Sequence, residues 1–174
     1  MANTIAPFGF IPVGHMSGGA IPEPHVYTLY TGHRVYKGDP MIVTSSGMAD
    51  VAAANWDTIG LGIAAEYVYD SGSLGTLDVH VYDDPWIIYK AQFKTGITAP
   101  TLANSVFATA NMCTYAVGSS VSHQSIMSLD TPGSSTGDFL ILGLYPQPGN
   151  AWGDGAIVTC ILNQSIWKTV YAGI

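Results

Sequence analysis

Leu77, Val79 and Val81 alternate with Asp78, His80 and Tyr82, a period of two that places apolar side chains on one face of a strand and polar ones on the other. Short segments of the same kind follow one another along the chain: His25–Thr31, Met41–Thr44, Met48–Ala53, Ile59–Tyr69, Trp86–Phe93, Val106–Ala108, Met112–Val117, Ser125–Leu129, Phe139–Tyr145 and Ala156–Leu162. Turn residues separate them, among them Gly38-Asp39-Pro40, Ser45-Ser46-Gly47, Asp70-Ser71-Gly72 and Pro146-Gln147-Pro148-Gly149-Asn150. That spacing predicts an all-β fold, an antiparallel β-barrel or sandwich. No window sustains a helical period, and the helix candidates are Val51–Trp56 and a turn at Leu102–Asn104.

The run Phe139-Leu140-Ile141-Leu142-Gly143-Leu144 is apolar at both odd and even positions. It predicts a central strand covered on both sides, with Ile157–Leu162 as its partner.

The first 24 residues read differently. Pro7, Pro12, Pro22 and Pro24 alternate with Gly9, Gly14, Gly18 and Gly19 around Phe8, Phe10, Ile11 and Val13. Proline fixes φ and removes amide donors, so this stretch is neither a helix nor a central strand. It predicts an extended arm, residues 1–24, ahead of a single β domain at 25–174. Leaving Phe8, Phe10 and Ile11 in water would forfeit about 1.5–3 kcal/mol of burial each, so the arm lies against its own domain or a neighbour.

Of the 174 residues only 10% are charged while 48% are apolar. So little charge predicts a surface largely covered by protein contacts, hence a homo-oligomer; a monomer with a Ser/Thr/Asn-rich exterior is the alternative. A net charge of −7 with five Lys and Arg in all excludes a nucleic-acid partner, because phosphate binding needs clustered cations. The stretch from Thr95 to Leu129 carries no charged residue, but Pro100, Gly118 and many hydroxyl residues break it, so no membrane span is expected there. The start Met1-Ala2-Asn3-Thr4-Ile5-Ala6-Pro7 lacks the basic and apolar regions of a secretory signal, and synthesis and use without export are expected. Cys113 and Cys160 lie among small and apolar residues and read as buried free thiols, with a disulfide as the alternative.

Candidate chemistry is sparse. His15, His25, His33, His80 and His123 are scattered with no ligand spacing, so no metal site is expected. Asp78, Asp83 and Asp84 could hold calcium in a turn but read more simply as solvated carboxylates before a proline. Ser165-Ile166-Trp167-Lys168 matches a Ser-x-x-Lys pattern without its companion motifs. Gly14-His15-Met16-Ser17-Gly18-Gly19 lacks the flanking strand, helix and Lys of a phosphate loop. No catalytic set and no cofactor site emerge, and an enzyme is not expected.

Several segments taken together, Pro7-Phe8-Gly9-Phe10-Ile11-Pro12-Val13, Tyr36-Lys37-Gly38-Asp39-Pro40, Tyr82-Asp83-Asp84-Pro85-Trp86, and Ile141-Leu142-Gly143-Leu144 followed by Pro148-Gly149-Asn150 and Ala156-Ile157-Val158, resemble tailed-bacteriophage capsid proteins of the decoration, or cement, type. The likeness runs from Pro7 to Asn163 and rests mostly on turn signatures. Trp86 and Trp152 depart from the residues expected at those places, and the tail from Lys168 to Ile174 runs past the familiar end.

The resemblance implies a β-rich structural protein made in the host cytoplasm and placed on the outer surface of the virion head. There it would bridge neighbouring major capsid protein subunits, commonly as a trimer. Candidate partner contacts are Phe8, Phe10, Ile11 and Val13 on the arm, with Trp86 and Trp152. Trp56, Trp86, Trp152 and Trp167 lie in or beside turns, where aromatic platforms bind sugars, so a glycan-binding module or a head-fibre base is the alternative.

Overall fold

The structure, a computed structural model, describes residues 3–30, 32–52, 60–69, 72, 77–113, 118–133 and 136–167. Its strands are β1 (Ile11–His15), β2 (His25–Thr28), β3 (Arg34–Val35), β4 (Pro40–Val43), β5 (Ala49–Val51), β6 (Gly60–Ala64) and β7 (Val68–Tyr69). They continue as β8 (Asp78–Tyr82), β9 (Ile87–Gln92), β10 (Thr109–Ala110), β11 (Met112–Cys113), β12 (Ser128–Leu129), β13 (Phe139–Leu144) and β14 (Ile157–Leu162). A single turn of helix, α1 (Leu102–Ser105), precedes β10.

Two five-stranded sheets carry the fold: sheet I in the order β1-β9-β14-β13-β10, and sheet II in the order β2-β8-β6-β4-β5. Two-stranded ribbons, β11-β12 and β3-β7, accompany them. Among the described residues sheet I ends at β1 and β10 and sheet II at β2 and β5, so neither closes on itself. The architecture is an antiparallel sandwich and not the closed barrel that the strand spacing also allowed.

The larger core joins the inner face of sheet I, where Tyr89, Phe93, Phe139, Ile141, Val158 and Cys160 are buried, to Ile63 of sheet II and to Met112 and Leu129 of a ribbon. A smaller core gathers Leu29, Val35, Met41, Leu61, Val79 and Val81. Alternation in β8 is realised: Val79 and Val81 are buried, Asp78 and His80 exposed.

One finding corrects the sequence reading and two refine it. Val106–Ala108 is not a strand, because Val106 caps α1 and Phe107 has φ +60°, a left-handed backbone that no strand accepts. The helix turn exists because the Thr101 side chain accepts from the Asn104 amide while Asn104 Oδ1 accepts from the Thr101 amide, a reciprocal cap. The third concerns the first 24 residues, of which those numbered 11–15 form β1, an edge strand antiparallel to β9. Proline is tolerated there, at Pro12, because an edge strand has no second neighbour to donate to. The helix candidate Val51–Trp56 falls mostly outside the described residues.

Candidate functional site

Pairing register decides which side chains of sheet I face away from the core. In β9, Ile87, Tyr89, Ala91 and Phe93 are buried, so Ile88 and Lys90 point outward. Ile11 and Thr159 lie opposite Lys90 on its two sides, and Leu140 lies opposite Ile161. The outward face therefore carries Ile11, Ile88, Leu140, Ile157 and Ile161 where a solvated antiparallel sheet would alternate to polar residues. Ile161 is buried, but Ile11, Ile88, Leu140 and Ile157 are partly exposed.

Lys90 is the charged residue of this face. Its Nζ lies 5.3 Å from the centre of the Phe8 ring and 5.4 Å from that of Tyr145, a cation held between two aromatic rings. Among the described residues no carboxylate forms an ion pair with it; the Asp and Glu pairs go to His15, His25, His33, His80 and Lys94.

One end of the face is covered by the chain's own beginning. Gln92 is buried; its Oε1 accepts from the Ala6 amide, and its Nε2 donates to the carbonyls of Thr4 and Gly155. Asn3 donates to the carbonyls of Ala151 and Asp154 and accepts from the Ala151 amide. Between this strap and the 147–150 loop lies a cleft of about 360 Å³, lined by Phe8, Gln92, Gln147, Asn150 and Ile157 among others. Asn150 is spent on its own loop, bonding Tyr145 and Ile157.

The candidate contact residues divide. Phe8 and Ile11 reach the outward face, and Val13, on the same strand at a bulge between Pro12 and Gly14, is partly exposed. Phe10 does not belong with them: it is 1% exposed and stacks on Phe139, so it is a core residue. Trp86 is exposed in the turn between β8 and β9, beside Met16, whose amide donates to its carbonyl. Trp152 packs against the larger core and is partly exposed; Trp56 lies outside the described residues.

In the turn before Trp86 one carboxylate, Asp83, is buried and the other, Asp84, is partly exposed. Asp83 is buried and accepts from Tyr27 Oη at 2.6 Å and from His25 Nδ1 at 2.8 Å. Burial, followed by that hydrogen bond to Asp83, pushes the Tyr27 phenol well above its usual range. Asp84 meets His15 Nε2 at 3.2 Å. Folding thus brings four of the five histidines to carboxylates that sequence spacing did not connect, including His33 to Asp50 and His80 to Glu66. Among the described residues no group of three or more such side chains could hold a metal ion.

Ser165 is buried and its Oγ accepts from the Trp167 amide, while Lys168 lies outside the described residues. Cys160 is a free, fully buried thiol whose pKa burial raises; the side chain of Cys113 is likewise outside the description.

Lys90 and Tyr145 are the functional candidates that sequence reasoning missed. The signal was available for Lys90, since period-two alternation through Ile87–Gln92 sets it opposite the core. Tyr145 stands beside it because Tyr145 continues the pairing toward Ile157, to whose carbonyl its amide donates.

No family model, no curated protein and no solved structure matches the chain.

Proposed function

We propose that this chain is a structural virion protein that decorates the outside of a tailed-phage head, docking by the outward face of sheet I and bridging neighbouring major capsid subunits. The observation that carries the reading is the apolar character of that face. β13 and β14 have the composition of strands covered on both sides, yet Leu140 and Ile157 are only partly covered within one chain. A second layer supplied by another protein completes the burial, each large aliphatic side chain contributing about 1.5–3 kcal/mol when fully covered. The charge-poor composition and the resemblance of the turn segments to decoration proteins support the same assignment.

A docking role of this kind needs no catalytic group. Many weak contacts repeated over a symmetric shell sum to a large resistance against internal pressure. The chain binds as a trimer at local threefold positions in this reading.

The test is co-sedimentation with heads assembled from the cognate major capsid protein. Binding that saturates at a fixed number of copies per head is the expected result. Protein that stays in the supernatant at micromolar concentration contradicts the reading.

A further inference from the structure

We propose that Lys90 is the specificity contact of the docking face, and that its partner is a protein surface other than this chain, presenting an Asp or Glu carboxylate within an apolar patch. The inference rests on the docking reading above and adds the chemistry of what is recognised.

Three observations carry it. The ammonium of Lys90 shares the outward face with the aliphatic Ile11, Ile88, Leu140 and Ile157, beside Thr159, Gln92 and two glycines, so any surface that covers the face also takes Lys90 out of water. It has no ion-pair partner among the described residues, although the chain has 12 Asp and Glu against five Lys and Arg. Two aromatic rings, Phe8 and Tyr145, lie within cation–π reach of its ammonium.

A desolvated ammonium without a counter-charge opposes association, whereas one facing a carboxylate favours it and rejects partners that lack the acid. The same charge decides against pairing with a second copy face to face. A twofold contact is self-complementary and would bring two such ammonium groups into one apolar layer. Complementarity therefore disfavours a face-to-face second copy, and the partner that fits is a different protein with one acid at the centre of its patch.

The experiment uses the full chain with heads assembled from the cognate major capsid protein. Wild type, Lys90→Met and Lys90→Glu are compared by co-sedimentation, their melting curves confirming the fold. A zero-length carbodiimide cross-link then joins Lys90 to any carboxylate in contact. The expected result is a loss of affinity of at least 100-fold for Lys90→Glu, a smaller loss for Lys90→Met, and a cross-linked peptide joining Lys90 to an Asp or Glu of the capsid protein.

Wild-type binding that Lys90→Glu leaves unchanged overturns the inference and spares the decoration reading. Cross-links from Lys90 to this chain's own peptides overturn it in favour of a second copy. Heads that fail to bind wild type overturn both.

Discussion

Phe10 and Phe139 stack with ring centres 4.2 Å apart and planes 10° from parallel, which fastens the Pro/Gly-rich beginning of the chain to the middle of the larger core. The amide of Phe10 also donates to the Gly38 carbonyl. The beginning is thus part of the sandwich. Phe10→Ala is expected to cost roughly 3–5 kcal/mol, read as a lowered denaturant midpoint. Removing residues 1–24 takes away both Phe10 and β1 and is expected to abolish the cooperative melt. A truncated chain that melts like the full one contradicts this.

Gly9 makes that anchoring possible. Its φ is +71°, and a Cβ there would lie 2.5 Å from Ser125 Cβ and 2.8 Å from the Gly38 carbonyl oxygen. Gly9→Ala is expected to destabilise by more than the about 1–3 kcal/mol of left-handed strain alone, since Ser125 is itself buried and cannot move aside freely. Urea titration of the purified variant measures it; a loss below 1 kcal/mol would show that the three segments meeting there are loosely joined.

Asp39 gives the fold a pH dependence of definite sign. Burial raises its carboxyl to about 6, against hydrogen bonds from Ser125 and from the Tyr36 amide that pull the other way, and its Oδ1 has no hydrogen-bond partner among the described residues. The folded protein therefore holds the proton more tightly than the unfolded chain does. The resulting stabilisation is complete below about pH 4 and is lost as pH rises through about 6, an effect on the order of 3 kcal/mol. Asp39→Asn removes this term, so melting temperatures of wild type and variant should diverge in favour of the variant between pH 4 and 7. Parallel profiles would exclude it.

Tyr27→Phe tests the buried turn ahead of Trp86. Without the phenol, Asp83 keeps His25 but loses its shortest hydrogen bond, at a cost of about 1–2 kcal/mol for a buried acceptor left short. Equal stability of variant and wild type would mean that water replaces the hydroxyl.

The fold class was legible because period-two alternation and turn residues act locally: β8, β9, β13 and β14 lie where Val79, Tyr89, Ile141 and Val158 place them. The β13-β14 pair was legible from composition alone. Phe10 was not, because an apolar residue between prolines is equally compatible with a partner's surface and with its own core, and only the left-handed turn at Gly9 and the approach of Gly38 decide between them. Nor were the histidine–carboxylate contacts, which join His25 to Asp83 and His15 to Asp84 across sheet edges. Long-range pairing of that kind leaves no spacing in the sequence. The outward face of sheet I was half legible: Phe8 and Ile11 are apolar in the sequence, while the place of Lys90 beside two rings depends on the strand register.

Hydroxyl-radical footprinting of the chain, free and bound to heads, tests the central claim most directly, because both sheets carry reactive exposed side chains. Protection is expected at Phe8, Ile88, Tyr145 and Ile157 of the outward face of sheet I, with Val26 of β2 and Tyr69 of β7 labelled as in the free chain. Protection confined to Val26 and Tyr69, with Phe8 and Tyr145 still fully labelled on the head, would contradict docking through sheet I.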